Sequence, residues 1–238
     1  SLVNYTHHET DFVDFNIQKL LPHKFSEYGP ALAAGDMDGN GLDDFICGGS
    51  AGESAQLFLQ QPDGKFRQKS LLTRAETNAK SWDDTGVLLF DADRDGDPDL
   101  YVSSGGYEHE SNSAAYRDHF YINRGKAEFS EIPGTIPTNP TSKSCVRASD
   151  YDRDGDLDLF VAGRVDPWYY PRPVSSFIFR NDSDRGKIKF TDVTGEVARD
   201  LLNVGLVCDA LFTDFNKDGW IDLVLAGEFG LRSKAQLR

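Results

Sequence analysis

Four nine-residue segments of this chain align without a gap: DMDGNGLDD at 36–44, DADRDGDPD at 91–99, DYDRDGDLD at 150–158 and DFNKDGWID at 214–222. They share the pattern D-x-[DN]-x-[DN]-G-x-x-D, and their starts lie 55, 59 and 64 residues apart. A motif at so regular an interval means a repeat architecture, in which one supersecondary unit recurs and neighbouring units supply each other's core. The flanks recur as well. An apolar stretch precedes each segment, at 31–35, 86–90, 145–149 and 207–213. A β-type run follows each, at 45–47, 100–102, 159–161 and 223–225, and then a glycine-containing bend. In the first three repeats an aromatic-rich strand comes next (57–59, 120–122, 177–179), and then a turn into a last strand marked by Phe66, Phe129 or Phe190. Short β-branched and aromatic runs between turn signals predict a four-stranded antiparallel meander per repeat. One such sheet buries too little to stand alone, and radial packing of sheets gives an all-β propeller.

The expected division is a linker or the tail of a preceding blade at 1–29, then blades at 30–75, 84–134, 143–196 and 204–238. The last blade is expected to be incomplete, the chain being part of a longer polypeptide whose remainder, or a partner, covers the open edges. Two insertions follow second strands, at 107–118 and 165–175.

Composition narrows the function. The 238 residues carry 39 acids against 25 Lys and Arg, a formal charge of −14, which opposes binding to phosphate-rich nucleic acid. No apolar run reaches the ~18–20 residues of a membrane span. Of the acids only 10 are Glu, and a single Met is present, so a helical bundle is disfavoured. Cys47, Cys145 and Cys208 are too few and too scattered for a disulfide scaffold, and buried free thiols are expected.

Short carboxylates at positions 1, 3, 5 and 9 suit a hard cation that takes about six to eight oxygens, and the glycine at position 6 permits the sharp turn that aims them inward. The side-chain ligands read this way are Asp36, Asp38, Asn40 and Asp44; Asp91, Asp93, Asp95 and Asp99; Asp150, Asp152, Asp154 and Asp158; and Asp214, Asn216, Asp218 and Asp222. Position 7 would offer its main-chain carbonyl, which leaves its side chain free to vary among Leu42, Asp97, Asp156 and Trp220. An EF-hand would need Glu at position 12 between two helices, but Cys47, Val102, Val161 and Leu225 stand there, inside expected strands. Zinc would want His or Cys, and magnesium tolerates fewer protein ligands. The expected cofactor is therefore Ca²⁺, about four ions, one per loop.

These loops resemble the FG-GAP/VCBS repeats of integrin α-chain-like β-propellers over about residues 30–228. The phrases DLDLFVAG (156–163) and KFTDVT (189–194) are similar to bacterial secreted or surface VCBS proteins associated with an ASPIC/UnbV domain. The resemblance implies a propeller of about seven blades, with one Ca²⁺ in the loop between the first two strands of a blade. Asn40 and Asn216 depart from the all-Asp pattern and lower the ligand charge.

Three functions follow as expectations. The first is a non-catalytic, calcium-stabilised module outside the cell or on a bacterial surface that recognises a protein or glycan. Arg164, Trp168, Tyr169, Tyr170 and Arg172, in or beside the second insertion, are its candidate ligand-binding residues, weighed against simple packing of the aromatics on a neighbouring blade. The second is an accessory subunit docked in a bacterial outer-membrane complex. The third is part of a polysaccharide-acting enzyme, for which Tyr107, Glu108, His109, Glu110, His119 and Glu228 are candidates. No carboxylate pair with glycosidase spacing and no nucleophile motif is visible, and a solvated polar loop is the preferred reading of 107–118. Arg164 and Glu228, each six residues beyond the last acid of adjacent loops, are expected to meet at one rim.

Overall fold

A computed structural model describes residues 3–184 and 186–228. The first sheet contains β1 (Leu32–Gly35), β2 (Asp44–Cys47), β3 (Gln56–Gln60) and β4 (Phe66–Ser70). The second contains β5 (Asp83–Phe90), β6 (Asp99–Gly105), β7 (His119–Asn123) and β8 (Phe129–Glu131). The third contains β9 (Ser142–Ser149), β10 (Asp158–Val165), β11 (Phe177–Asn181) and β12 (Phe190–Asp192). The fourth pairs β13 (Val207–Thr213) with β14 (Asp222–Gly227), and the rest of its expected span, 229–238, lies outside the described residues. Each sheet is an antiparallel meander in sequence order. The first strands of successive sheets lie side by side, β1 by β5, β5 by β9 and β9 by β13, as the inner strands of propeller blades do. Among the described residues the blades form an open series.

Strand alternation builds the interfaces between blades. Leu100 and Val102 of β6 face the first blade with Ile46, Leu57 and Leu59, while Tyr101 between them faces the third with Phe120, Val146 and Phe179. In β10, Leu159 and Val161 face back to the second blade, and Phe160 and Ala162 face forward to Ile178, Val207 and Leu223. Both faces of these middle strands are therefore buried, and each buried Leu, Val or Phe among them contributes about 1.5–3 kcal/mol. Cys208 is exposed, contrary to the expectation of a buried thiol: the pairing of β13 with β14 shifts register between Val207 and Asp209, and Cys208 faces an open cleft beside Tyr28 and Arg164 while Val207 is buried.

The N-terminal segment packs onto the blades. Buried Asp14 accepts hydrogen bonds from the main-chain N–H groups of Phe25 (2.5 Å) and Ser26 (3.1 Å) and from the Ser26 hydroxyl. That clamp sets Phe25 and Leu21 against Tyr107, Val165 and Leu206. The 107–118 insertion is solvated at its tip, where Glu110, Asn112 and Ala114 are exposed, but packed at both ends. Tyr107 and Tyr116 are fully buried, and Asp118 is buried as the partner of Lys143 (3.0 Å). The apolar rings and the buried ion pair hold it down.

Candidate metal centre

The four acidic loops connect β1 to β2, β5 to β6, β9 to β10 and β13 to β14. Each turns twice through left-handed backbone. Position 6 is glycine with φ of 82°, 97°, 94° and 86°, and position 4 takes φ of 75° (Gly39), 61° (Arg94), 64° (Arg153) and 62° (Lys217). A non-glycine residue at positive φ costs of order 1 kcal/mol or more and persists where surrounding contacts demand it. The position 1 carboxylate supplies those contacts. Asp36 accepts from the N–H groups of Gly39, Asn40 and Gly41, Asp91 from Asp95 and Gly96, Asp150 from Gly155, and Asp214 from Asp218 and Gly219. Position 5 caps the next bend, its Oδ1 accepting from the position 7 N–H at 2.8 or 2.9 Å in all four loops.

Position 9 is a clamp. Asp44 Oδ2 accepts from Met37 N (2.9 Å) and its Oδ1 from Gln60 N (2.7 Å). Asp99 does the same with Ala92 N and Asn123 N, and Asp158 with Tyr151 N and Asn181 N. Each buried carboxylate thus ties its own loop to the third strand of its blade.

In three loops the acids converge. One oxygen from each of Asp36, Asp38 and Asp44 lies within 4.8 Å of the others, as do those of Asp91, Asp93 and Asp99 and of Asp150, Asp152 and Asp158. These are positions 1, 3 and 9. Asp95 and Asp154 at position 5 stand outside the groups, and the position 5 Asn40 donates its Nδ2 to Gln60 O (3.0 Å). The fourth loop forms no such group among the described residues. Its position 3 is Asn216, which turns an amide donor to Asp218 Oδ2 (3.0 Å) where the other loops place an acceptor.

Burial pushes the Asp99 and Asp158 carboxyls up to about 7 despite the N–H groups they accept from, and nearby acids push the same way. Burial raises Asp44, Asp93 and Asp152 too, again with neighbouring carboxylates contributing. Asp93 Oδ1 and Asp150 Oδ1 are buried without a hydrogen-bond partner among the described residues. Converging anions and orphaned acceptor oxygens fit a hard divalent cation. Asp36, Asp38, Asp44 and their counterparts in loops two and three could hold one.

The candidate ligand-binding residues divide. Trp168 is half-buried, its Nε1 donating to Tyr107 O (3.1 Å), and Tyr170 packs on Phe25 with ring centroids 5.4 Å apart. Tyr169 is half-exposed beneath the Arg172 guanidinium (4.2 Å), which also meets Asp166. Arg164 is buried and pairs with Glu228 and Tyr28. Among the other candidates, His109 Nε2 lies 2.8 Å from Ser81 O, and His119 stacks on Trp82 and meets Glu131. Sequence reasoning missed the approach of Asp83 to Glu108, whose carboxylates close on Gly106 and leave no room there for a side chain. Burial pushes Glu108 up to about 8, with Asp83 as the next contributor. Burial also pushes Asp83 up to about 6, helped by the charges of Glu9 and Asp84. No local pattern marks the pair, because its two residues lie on different segments of the blade.

No helix among the described residues is long and apolar enough to cross a membrane. Comparison with curated proteins finds no match. The model of the FG-GAP-like repeat family matches residues 36–102 and 111–161, which include the first three acidic loops, and over those residues the chain is similar to FG-GAP-like repeats.

Proposed function

We propose that the chain is a calcium-binding, non-catalytic β-propeller module that works outside the cell or at its surface, where it recognises or assembles with a protein or glycan. The observation that carries the reading is the threefold convergence of positions 1, 3 and 9, with buried oxygens of Asp93 and Asp150 left without partners among the described residues. A bound calcium ion supplies two positive charges and a demand for about six to eight oxygens. Asp44, Asp99 and Asp158, each aimed by two main-chain N–H groups, present their remaining lone pairs to the ion. Asp36, Asp91 and Asp150 hold the loop backbone in its left-handed turns, so ligand placement and loop folding are one process. Loops that depend on such binding suit compartments where calcium is ~millimolar. The recognition surface is the 165–175 insertion, where Tyr169 and Arg172 offer an exposed ring and a charge on a rigid support.

Thermal unfolding of the chain in calcium, in EGTA, and in EGTA with magnesium tests the calcium reading. Three sites held well above their dissociation constants give a loss of roughly 10–20 °C under EGTA, with magnesium restoring little of it. Equal midpoints in all three buffers would overturn it.

A further inference from the structure

A buried hydrogen-bond chain runs through the position 9 acids of three successive loops. Asp44 Oδ2 accepts from Met37 N (2.9 Å), and Met37 O accepts from Asn123 Nδ2 of the next blade (2.9 Å). Asn123 N donates to Asp99 Oδ1 (2.9 Å), and Asp99 Oδ2 accepts from Ala92 N (3.1 Å). The step then repeats: Ala92 O accepts from Asn181 Nδ2 (3.0 Å), Asn181 N donates to Asp158 Oδ1 (2.8 Å), and Asp158 Oδ2 accepts from Tyr151 N (3.4 Å). The side-chain amides have one orientation, because Asn123 Oδ1 accepts from Gly125 N and Asn181 Oδ1 from Ser183 N, both at 3.1 Å. Every link is at most 8% exposed. A second, surface connection joins loop two to loop three and loop three to loop four. Position 4 of one loop touches position 7 of the next, Arg94 Nη1 lying 2.9 Å from Asp156 Oδ1 and the Arg153 guanidinium 3.9 Å from the centre of the Trp220 ring.

We propose that Asn123 and Asn181 are positioning residues that couple adjacent calcium sites, an inference that rests on the calcium reading of the loops. The bistable element is the acidic loop itself. With its carboxylates repelling it is loosely held, and with a cation among them positions 1, 3 and 9 are fixed. Fixing Asp44 fixes the position 2 peptide of its loop, whose carbonyl then holds Asn123, and the Asn123 N–H holds Asp99 where its own loop needs it. The ordering cost met at one loop is therefore not met again in full at the next, which is positive cooperativity, and linkage makes it reciprocal.

Calorimetric titration of the 238-residue chain with calcium, paired with unfolding in EGTA, tests the coupling. The wild type is expected to bind with a slope steeper than independent sites allow. Asn123→Ala should uncouple loop one from loop two and Asn181→Ala loop two from loop three, each flattening the slope and weakening the affected sites about 5-fold or more. A merely structural amide would lower the midpoint in EGTA and leave the slope alone. Independent binding in the wild type, or a slope unchanged in both variants, overturns the proposal. Should Asn123→Ala fail to fold, Asn181→Ala reads the second junction in the same way. An absence of calcium heat in the wild type, with equal midpoints with and without EGTA, removes the calcium reading and the coupling with it. Calcium uptake without cooperativity removes only the coupling.

Discussion

Arg164 Nη2 lies 2.5 Å from Oε2 of Glu228, joining the ends of β10 and β14 at the rim opposite the acidic loops. The guanidinium also donates to Tyr28 Oη (2.6 Å) and lies 4.9 Å from the ring centres of Phe25 and Tyr28, so it ties two blades to the N-terminal segment. Because Arg164 is buried, Arg164→Met should cost about 2–4 kcal/mol by stranding both partners. Adding Glu228→Gln should then cost less than its effect alone. Denaturant unfolding of the two single variants and the double variant checks this, and strictly additive losses would contradict the pair.

Position 9 serves the fold as well as the ion, whereas the position 5 Asp95 serves the fold only within its own turn. Asp158→Ala removes the acceptor of Asn181 N and Tyr151 N in a buried site and should destabilise the chain by about 2–4 kcal/mol even in EGTA. Asp95→Asn keeps the oxygen that accepts from Asp97 N, so it should leave the EGTA midpoint within a degree or so and change only the calcium-dependent part. Equal losses in EGTA would show that position 5 also carries the fold.

Asp83 and Glu108 give the stability a pH dependence that does not involve the loops. Both are held above their ordinary values, to about 6 and about 8, chiefly by burial, so the folded chain favours their protonated forms. Their contribution is complete below about pH 4, where the same carboxyls titrate in the unfolded chain. It is lost as pH rises through about 6 and then about 8, each tenfold change in proton affinity being worth ~1.4 kcal/mol. In saturating calcium, the wild type should therefore melt lower at about pH 8.5 than at about pH 5.5, and Glu108→Gln should flatten most of that slope. A midpoint that rises over this range in the wild type would refute the assignment.

Much of this was legible in the sequence because it is local. A nine-residue turn with acids at odd positions and glycine at position 6 encodes its own conformation, and Phe66, Phe129 and Phe190 mark the last strands that the structure shows. The partnership of Arg164 and Glu228 followed from repeat geometry alone. What stayed hidden depends on tertiary packing. Asn123 and Asn181 follow the position 9 acids by 24 and 23 residues, in strands where an Asn carries no periodic signal. Lysine is normally exposed, yet Lys80 is buried against Asp84 and three main-chain carbonyls, and Lys143 against Asp118 and two. Positive φ at Arg94, Arg153 and Lys217 breaks the usual residue preference and becomes intelligible only through the position 1 carboxylate.

The 165–175 insertion mixes packing and presentation. Trp168→Ala should cost about 2–3 kcal/mol through lost burial and the lost bond to Tyr107 O, which makes it a poor probe of recognition. Tyr169→Ala, half-exposed, should change stability by less than ~0.5 kcal/mol and so report on a partner directly. Capture of a protein or glycan by the wild type and not by Tyr169→Ala supports that surface, whereas equal capture moves recognition elsewhere.

Whether three sets of acids hold calcium is decided most sharply by a crystal grown in calcium, with anomalous data collected at long wavelength. Anomalous peaks are expected between Asp36, Asp38 and Asp44, between Asp91, Asp93 and Asp99, and between Asp150, Asp152 and Asp158. Only water or lysine at all three places would contradict calcium binding by these loops.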